Sequence, residues 1–197
     1  MDQLDTVFIQ FKTRSLEKLQ IALHDNMVDK RVIPIISLIN DDENYVTTSS
    51  CAGRMVMMQL PTVGDKKQAM FLGRWHRHVE FSEVRDALEK YSKGQLWFIA
   101  QSPIFHIAVK SIDAADDLVK LGIGAGFKHS GFKSIKTNTI VELCSTERMD
   151  VPLGINDKCI VSEKYLLMIV KLGNDLLLRS QKKLDRLQKI FEKRMRK

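Results

Sequence analysis

The chain has 197 residues, 44% of them hydrophobic, enough to bury the core of one ordinary domain without disulfide or metal staples. Its net charge of +7 is concentrated at the C-terminus, where residues 158–197 carry 12 lysines and arginines against 4 acidic residues, while the rest of the chain carries 19 against 20. The three cysteines form no C-x-x-C pair, no signal peptide opens the chain and no run approaches the ~18 apolar residues of a membrane span, so a zinc module, a secreted disulfide scaffold and a membrane protein are all excluded in favour of a cytoplasmic enzyme or binding protein.

In chain order, apolar Leu16, Leu19, Leu23 and Met27 recur at steps of three and four and predict a first helix over Leu4–Met27. A second runs from Val32 to Ile39, with Val32, Ile35, Ile36 and Ile39 on one side, Pro34 in its opening turn and Asp29 just ahead. From Asn44 the pattern changes to the β-rich runs YVTTSS, RMVMMQL and MFLGRWHRHV, separated by Ala52-Gly53 and a turn over Pro61–Asp65. Helical spacing returns over Phe81–Tyr91 and ends at Lys93-Gly94. Two apolar strands, QLWFIAQ and IFHIAVK, are interrupted by Ser102-Pro103; a helix then opens at Asp113 and stops at Gly122. Strands near FKHSGFKSI and TIVELCS precede an irregular ERMDVPLGIND.

The last element is a long helix from Ser162 with a seam of Leu166, Val170, Gly173, Leu177, Ser180, Leu184, Leu187 and Phe191. Its roughly 30 residues to Phe191 would extend about 45 Å. The seam either packs on the body or pairs with a second copy, which leaves a homodimer open, although Gly173 and Ser180 weaken a coiled coil. The organisation expected is one α+β domain over residues 1–197, with 162–197 a long basic C-terminal helix. A weak echo between SSCAGRMVMM and HSGFKSIKTNTIVEL leaves an internal duplication open as well.

Three runs carry candidate chemistry. TTSSCAGR, Thr47–Arg54, crowds four hydroxyls, a small-residue turn and a guanidinium between two strands. A polar hairpin would use the same residues, but the planar fork of Arg54 suits a carboxylate or phosphate better than an empty turn. QSPIFH places His106 in an apolar run, where a lone histidine serves either as a satisfied core residue or as a proton carrier. GFKHSGFK, Gly126–Lys133, sets cations beside aromatic faces, the ingredients of RNA contact, unless Phe127 and Phe132 simply turn into the core. LGIGAGF is rejected as a dinucleotide loop because such a loop follows a strand and opens a helix, whereas here a helix precedes it. The two histidines of WHRH share one side of a strand but lack a third metal ligand at believable spacing.

The order of these blocks is more specific than any one of them. Asp29, Ile39-Asn40, TTSSCAGR, WFIAQSPIFH, AGFKHSGFKS, MDVPLG and the terminal helix follow one another as in the tRNA wybutosine-synthesising protein 3 family, which the chain resembles over nearly its whole length. Ala52 stands where serine is expected. The resemblance implies S-adenosylmethionine-dependent methylation of a ring nitrogen on a demethylwyosine-type base, next to the anticodon of phenylalanine tRNA, with no metal. It also implies an α+β fold whose mixed or largely antiparallel sheet is flanked by helices, and not a Rossmann-type methyltransferase.

On that reading Asp29, Ser50 and His106 are the candidate catalytic residues, and Ser49, Ser50, Arg54 and Ser102 the candidate donor-binding residues. Lys128, His129, Lys133, Arg179, Lys182 and Lys183 are candidate RNA contacts. Transfer from a sulfonium is an in-line displacement, so alignment and exclusion of water matter more than a strong nucleophile. Asp29 is the expected acceptor for the proton that the ring nitrogen gives up. Two other classes compete: an RNA-binding module without catalysis, and a metal-dependent hydrolase built on Asp29, His106 and His129.

Overall fold

The computed structural model describes residues 3–62, 68–135 and 138–196. Its elements in chain order are α1 (Gln3–His24), α2 (Ile33–Asp41), β1 (Tyr45–Cys51), β2 (Arg54–Leu60), β3 (Met70–Trp75), α3 (Phe81–Leu88), β4 (Gln95–Gln101), β5 (Ile104–Val109), α4 (Ile112–Ala125), β6 (Gly131–Ile135), β7 (Thr139–Cys144), β8 (Met149–Ile155), β9 (Lys158–Cys159) and α5 (Glu163–Met195). They form two compact units: Met1–Ala52 with Pro103–Thr146 and Gln181–Lys197, and Gly53–Ser102 with Glu147–Ser180. Every strand pairing among the described residues is antiparallel, as an α+β fold without a dinucleotide-binding sheet requires.

The first unit is built on the sheet β1-β5-β7-β6. Alternation along its strands sends Phe105, Ile107, Val109, Val141 and Leu143 to one face, where they pack with Ile35, Ile36 and Ile39 of α2, Leu118 of α4 and Phe191 of α5. The opposite face carries Val46, Ala108 and Ile140, against which α1 lays Phe8, Phe11 and Leu16. Local chemistry sets the helix ends. Pro34 sits in the first turn of α2, where its missing N–H is not needed. The hydroxyl of Ser111 accepts from the Ala114 amide to start α4, and Gly126 stops it in a left-handed conformation at φ 100°.

The second unit holds the sheet β3-β2-β4-β8-β9. Met55, Met57, Leu96, Phe98 and Leu153 form its core with Val84 of α3 and Leu166, Ile169 and Val170 of α5. Glu80 and Glu83 make a reciprocal capping box that starts α3.

Several expectations are corrected. Gly122 lies inside α4, which runs on to Ala125; the missing side chain matters for packing, since a Cβ there would come 2.6 Å from Leu143 Cδ2. Strand β3 ends at Trp75, so His76 and His78 are not on a strand. The Val79 backbone is instead held by Asn174, which accepts from its N–H at 3.0 Å and donates to its carbonyl at 2.9 Å. The run ERMDVPLGIND contains β8, despite Pro152. That proline lies where the β4–β8 register shifts, between the pairs Leu96–Gly154 and Trp97–Pro152, and such an irregularity is one of the places where a strand accommodates proline. Of the turn expected over Pro61–Asp65, Val63–Asp65 lie outside the described residues.

The long helix spans 33 residues, and all eight seam residues from Leu166 to Phe191 are buried within the chain. Gly173 is there for contact, because a Cβ would meet Met55 Sδ and Phe98 at 3.1 Å. The seam therefore offers nothing to a second copy. At its far end Arg194 reaches Asp42 at 3.0 Å and Asp117 at 2.5 Å, with its guanidinium 5.5 Å from the centre of the Tyr45 ring. Since Phe191 is fully buried among Tyr45 and the rest of the first unit's core, Phe191→Ala should cost about 3–5 kcal/mol in urea unfolding. A loss below ~1 kcal/mol would show that this end of α5 is not part of the core.

Candidate active site

The hydroxyl-rich run lies on β1, an edge strand of the first unit. An edge strand leaves backbone groups without a ladder partner, and side chains take their place here. Asn40 Oδ1 accepts from both the amide (2.8 Å) and the hydroxyl (3.1 Å) of Thr47, and Asp29 Oδ2 accepts from the Ala52 amide at 2.9 Å. Between them the register with β5 slips at Thr48, whose hydroxyl donates to the His106 carbonyl. The slip breaks the alternation of the strand, so Thr47, Thr48, Ser49 and Ser50 all border one cleft.

That cleft has a volume of about 550 Å³, within the range of small-molecule sites. Its other wall is α1 and the turn after it: Phe11, Leu19, Ala22, Met27 and Val28 make an apolar lining, with Arg14, Ser15 and Lys18 among them. Among the described residues, the side chains of Arg14, Ser15, Lys18 and Ser50 have no hydrogen-bond or ion-pair partner. Asp29 follows the lining residue Val28 directly, and its carboxylate holds the end of β1 from beneath.

A polar row continues across the sheet from Ser49. In register, Ser49 stands opposite His106 on β5, and His106 opposite Glu142 on β7. The Ser49 hydroxyl lies 2.7 Å from His106 Nδ1, and His106 Nε2 lies 2.7 Å from Glu142 Oε2, which also pairs with Lys133 Nζ at 2.9 Å. The side chains of His106 and Glu142 are 28% and 22% exposed, so the row is partly shielded from water. Burial works to raise the Glu142 carboxyl, but the contacts from Lys133 and His106 outweigh it and hold the group below its ordinary value. The arrangement fixes the imidazole from both sides, which lets it carry a proton between the serine end and the carboxylate end.

Of the residues singled out from sequence, Asp29, Ser49, Ser50, His106 and Lys133 thus belong to this part of the first unit. Lys128 and His129 are exposed in the loop before β6, where Phe127 is buried against Phe105 while Phe132 is 47% exposed. Lys182 is also exposed. Lys183, expected among the phosphate contacts, is 8% exposed; its stem runs along Gly126 and its ammonium donates to the Thr146 hydroxyl at 3.1 Å, leaving it no free surface for a phosphate. Arg54 and Ser102 lie in the second unit. Arg54 donates to Gln101 across the β2–β4 ladder at 2.5 Å, Ser102 is buried, and Arg179 is exposed on α5.

Sequence reasoning missed Arg14, Lys18 and Glu142. The first two stand four residues apart within TRSLEKL, a spacing that puts both cations on one helix face. Glu142 sits in TIVELC, where an acidic residue in an otherwise apolar strand was itself a signal.

The chain is a methyltransferase built without a parallel dinucleotide-binding sheet. The family model described as Methyltransferase TYW3 matches residues 10–193, and the chain belongs to that family. A relative from Pyrococcus horikoshii, tRNA(Phe) 7-((3-amino-3-carboxypropyl)-4-demethylwyosine(37)-N(4))-methyltransferase 1, is 47% identical over 182 residues, covering 92% of this chain and 93% of that protein. Its counterpart from Methanocaldococcus jannaschii is 36% identical over 191 residues, covering 92% and 99%. Among solved structures, one of a Pyrococcus horikoshii protein has a TM-score of 0.92 at 45% identity, covering 96% of this chain and 98% of that one. A hypothetical protein from Aeropyrum pernix has a TM-score of 0.73 at 29% identity, covering 84% and 98%.

A carboxyl held low stabilises the fold above its ordinary value of 4.5 and loses that contribution as pH falls through its lowered value. Glu142→Gln should therefore be less stable than the parent by a constant margin at neutral pH, with the margin closing in unfolding titrations below roughly pH 4. A margin that persists unchanged to pH 2.5 would mean the charge of Glu142 is not what the row depends on.

Proposed function

We propose that the chain transfers the methyl group of S-adenosylmethionine to a ring nitrogen of a demethylwyosine-type base next to the anticodon of tRNA(Phe), the reaction in the names of its relatives. The observation that carries this reading is the cleft on β1, where a row of hydroxyls, that of Ser50 without a partner, meets an apolar wall beside the Ser49–His106–Glu142 row. Its volume and lining fit the donor: Phe11, Leu19 and Val28 offer apolar surface to a purine, and Ser15 and Ser50 offer hydroxyls to a ribose or an amine. When bound, the donor supplies a methyl on a positively charged sulfur, which leaves as a neutral thioether.

The chain's own residues then have three tasks. The β1 hydroxyls and the α1 wall hold and orient the reactants and exclude water. His106 takes the proton that the ring nitrogen loses as the new N–C bond forms, with Ser49 as the neighbour through which it reaches the cleft; two 2.7 Å hydrogen bonds support this role. Asp29, one of whose oxygens is engaged by Ala52, supports the reaction by fixing the strand on which Ser49 and Ser50 stand. Lys128, His129, Lys133 and Lys182 are proposed contacts to the tRNA. Among the described residues no helix is long and apolar enough to cross a membrane.

Purified protein incubated with methyl-labelled donor and tRNA from a strain blocked at this step should label that tRNA and not fully modified tRNA. His106→Ala should remain folded and lose roughly 10²-fold or more in single-turnover rate. Ser50→Ala should lose less than that, with a weaker donor affinity. Asp29→Ala should lose activity together with thermal stability, because it frees the Ala52 amide. Parental rates in His106→Ala would remove that residue from proton transfer, and absence of labelling by the parent would remove the reaction itself.

A further inference from the structure

Methyl transfer to a flat base does not call for two cations in the donor cleft, yet Arg14 and Lys18 both line it. They stand one turn apart on α1, so their like charges repel and an anion placed between them is favoured. No acidic residue lines the cleft, and among the described residues neither cation has an ion pair or hydrogen bond. An anion seated between them would have to come with a ligand.

The rest of the lining narrows its class. A nucleic-acid phosphate lies between two sugars and is tracked by an open run of basic residues, whereas the remainder of this lining is apolar or hydroxylic: Phe11, Leu19, Ala22, Met27 and Val28 facing Thr47–Ser50. A carboxylate at the end of a short alkyl arm fits better, with its stem along the apolar wall and its two oxygens on the planar fork of Arg14. The Ser15 and Ser50 hydroxyls could accept from an adjacent ammonium. We propose that Arg14, assisted by Lys18, binds the carboxylate of an α-amino-acid arm in this cleft, an inference that rests on the methyltransferase reading. Two reactants carry such an arm: S-adenosylmethionine ends in one, and the acceptor base in the relatives' names bears a 3-amino-3-carboxypropyl group.

Binding measurements on the full chain distinguish the two sources, using Arg14→Gln and Lys18→Gln, both at exposed helix positions where folding should be retained. Calorimetry compares S-adenosylmethionine with its decarboxylated form. If the arm is the donor's, the parent should prefer the carboxylated form roughly tenfold or more, and Arg14→Gln should lose that preference. Filter binding compares tRNA carrying the aminocarboxypropyl arm with tRNA carrying the bare tricyclic base. If the arm is the acceptor's, the same collapse of preference should be seen there, with donor binding unchanged. Either collapse supports the proposal and names the source. If neither preference changes, or if Arg14→Gln weakens all tRNAs alike with a shallower salt dependence, the pair contacts phosphate or nothing and the proposal is overturned. Both readouts are affinities, so they stand even if the parent transfers no methyl group, the outcome that would instead sink the proposed reaction.

Discussion

Two side-chain oxygens hold β1 where a neighbouring strand would otherwise be. Asn40 satisfies the Thr47 amide and Asp29 the Ala52 amide, so the segment between them is fixed at both ends without a ladder partner on that side. A buried amide left unpaired costs on the order of 1–3 kcal/mol, enough for these two residues to decide whether the strand keeps its shape. The consequences run through the first unit. The fixed edge tolerates the slip at Thr48, the slip brings four consecutive hydroxyls to the cleft, and Ser49 meets His106 in register. Both oxygens come from elements close in sequence to β1, so the strand edge depends on local chain and not on a distant partner.

The hydroxyl run, the histidine and the glutamate come from three strands, and only antiparallel register brings them together. Ser49, His106 and Glu142 occupy one row across β1, β5 and β7. They share the sheet face that α1 covers only in part, while the opposite face is closed by α2, α4 and α5. One side of the sheet supplies rigidity and the other exposes chemistry. The neighbouring Ala108 and Ile140 pack under α1, which anchors the row from the side.

Much of this was legible in the sequence, for physical reasons that differ by element. The helices followed from three-and-four spacing, and Pro34 marked the opening turn of α2 because its backbone chemistry acts within a turn; the ends of α4 were misplaced, since Ser111 caps its start and Gly126, not Gly122, stops it. The α+β class came from the family resemblance that the ordered motif blocks carry, and the mismatch between LGIGAGF and its surroundings agreed with it. What failed depended on distant partners. ERMDVPLGIND read as irregular because the pairing of β8 with β4, and the register shift that accommodates Pro152, are long-range, and WHRH read as strand because nothing local reveals that Asn174, 95 residues away, captures the Val79 backbone. The site was half legible. The TTSSCAGR and QSPIFH runs announced Ser49, Ser50 and His106, but Glu142 enters through register, and Arg14 and Lys18 through the packing of α1 against an edge that sequence does not show.

The anchoring of α5 changes what its composition means. Lys183 is folded along Gly126, and Arg194 is neutralised between Asp42 and Asp117 beneath the ring of Tyr45. Lys183 is enclosed and Arg194 is paired with two carboxylates, so both offer a polyanion less than free surface cations would. The excess positive charge of the tail therefore overstates its electrostatic reach. Lys182, Arg186, Lys189, Lys193 and Arg196 stay on the outer surface of the helix, and they would set how steeply any association through this arm falls with ionic strength.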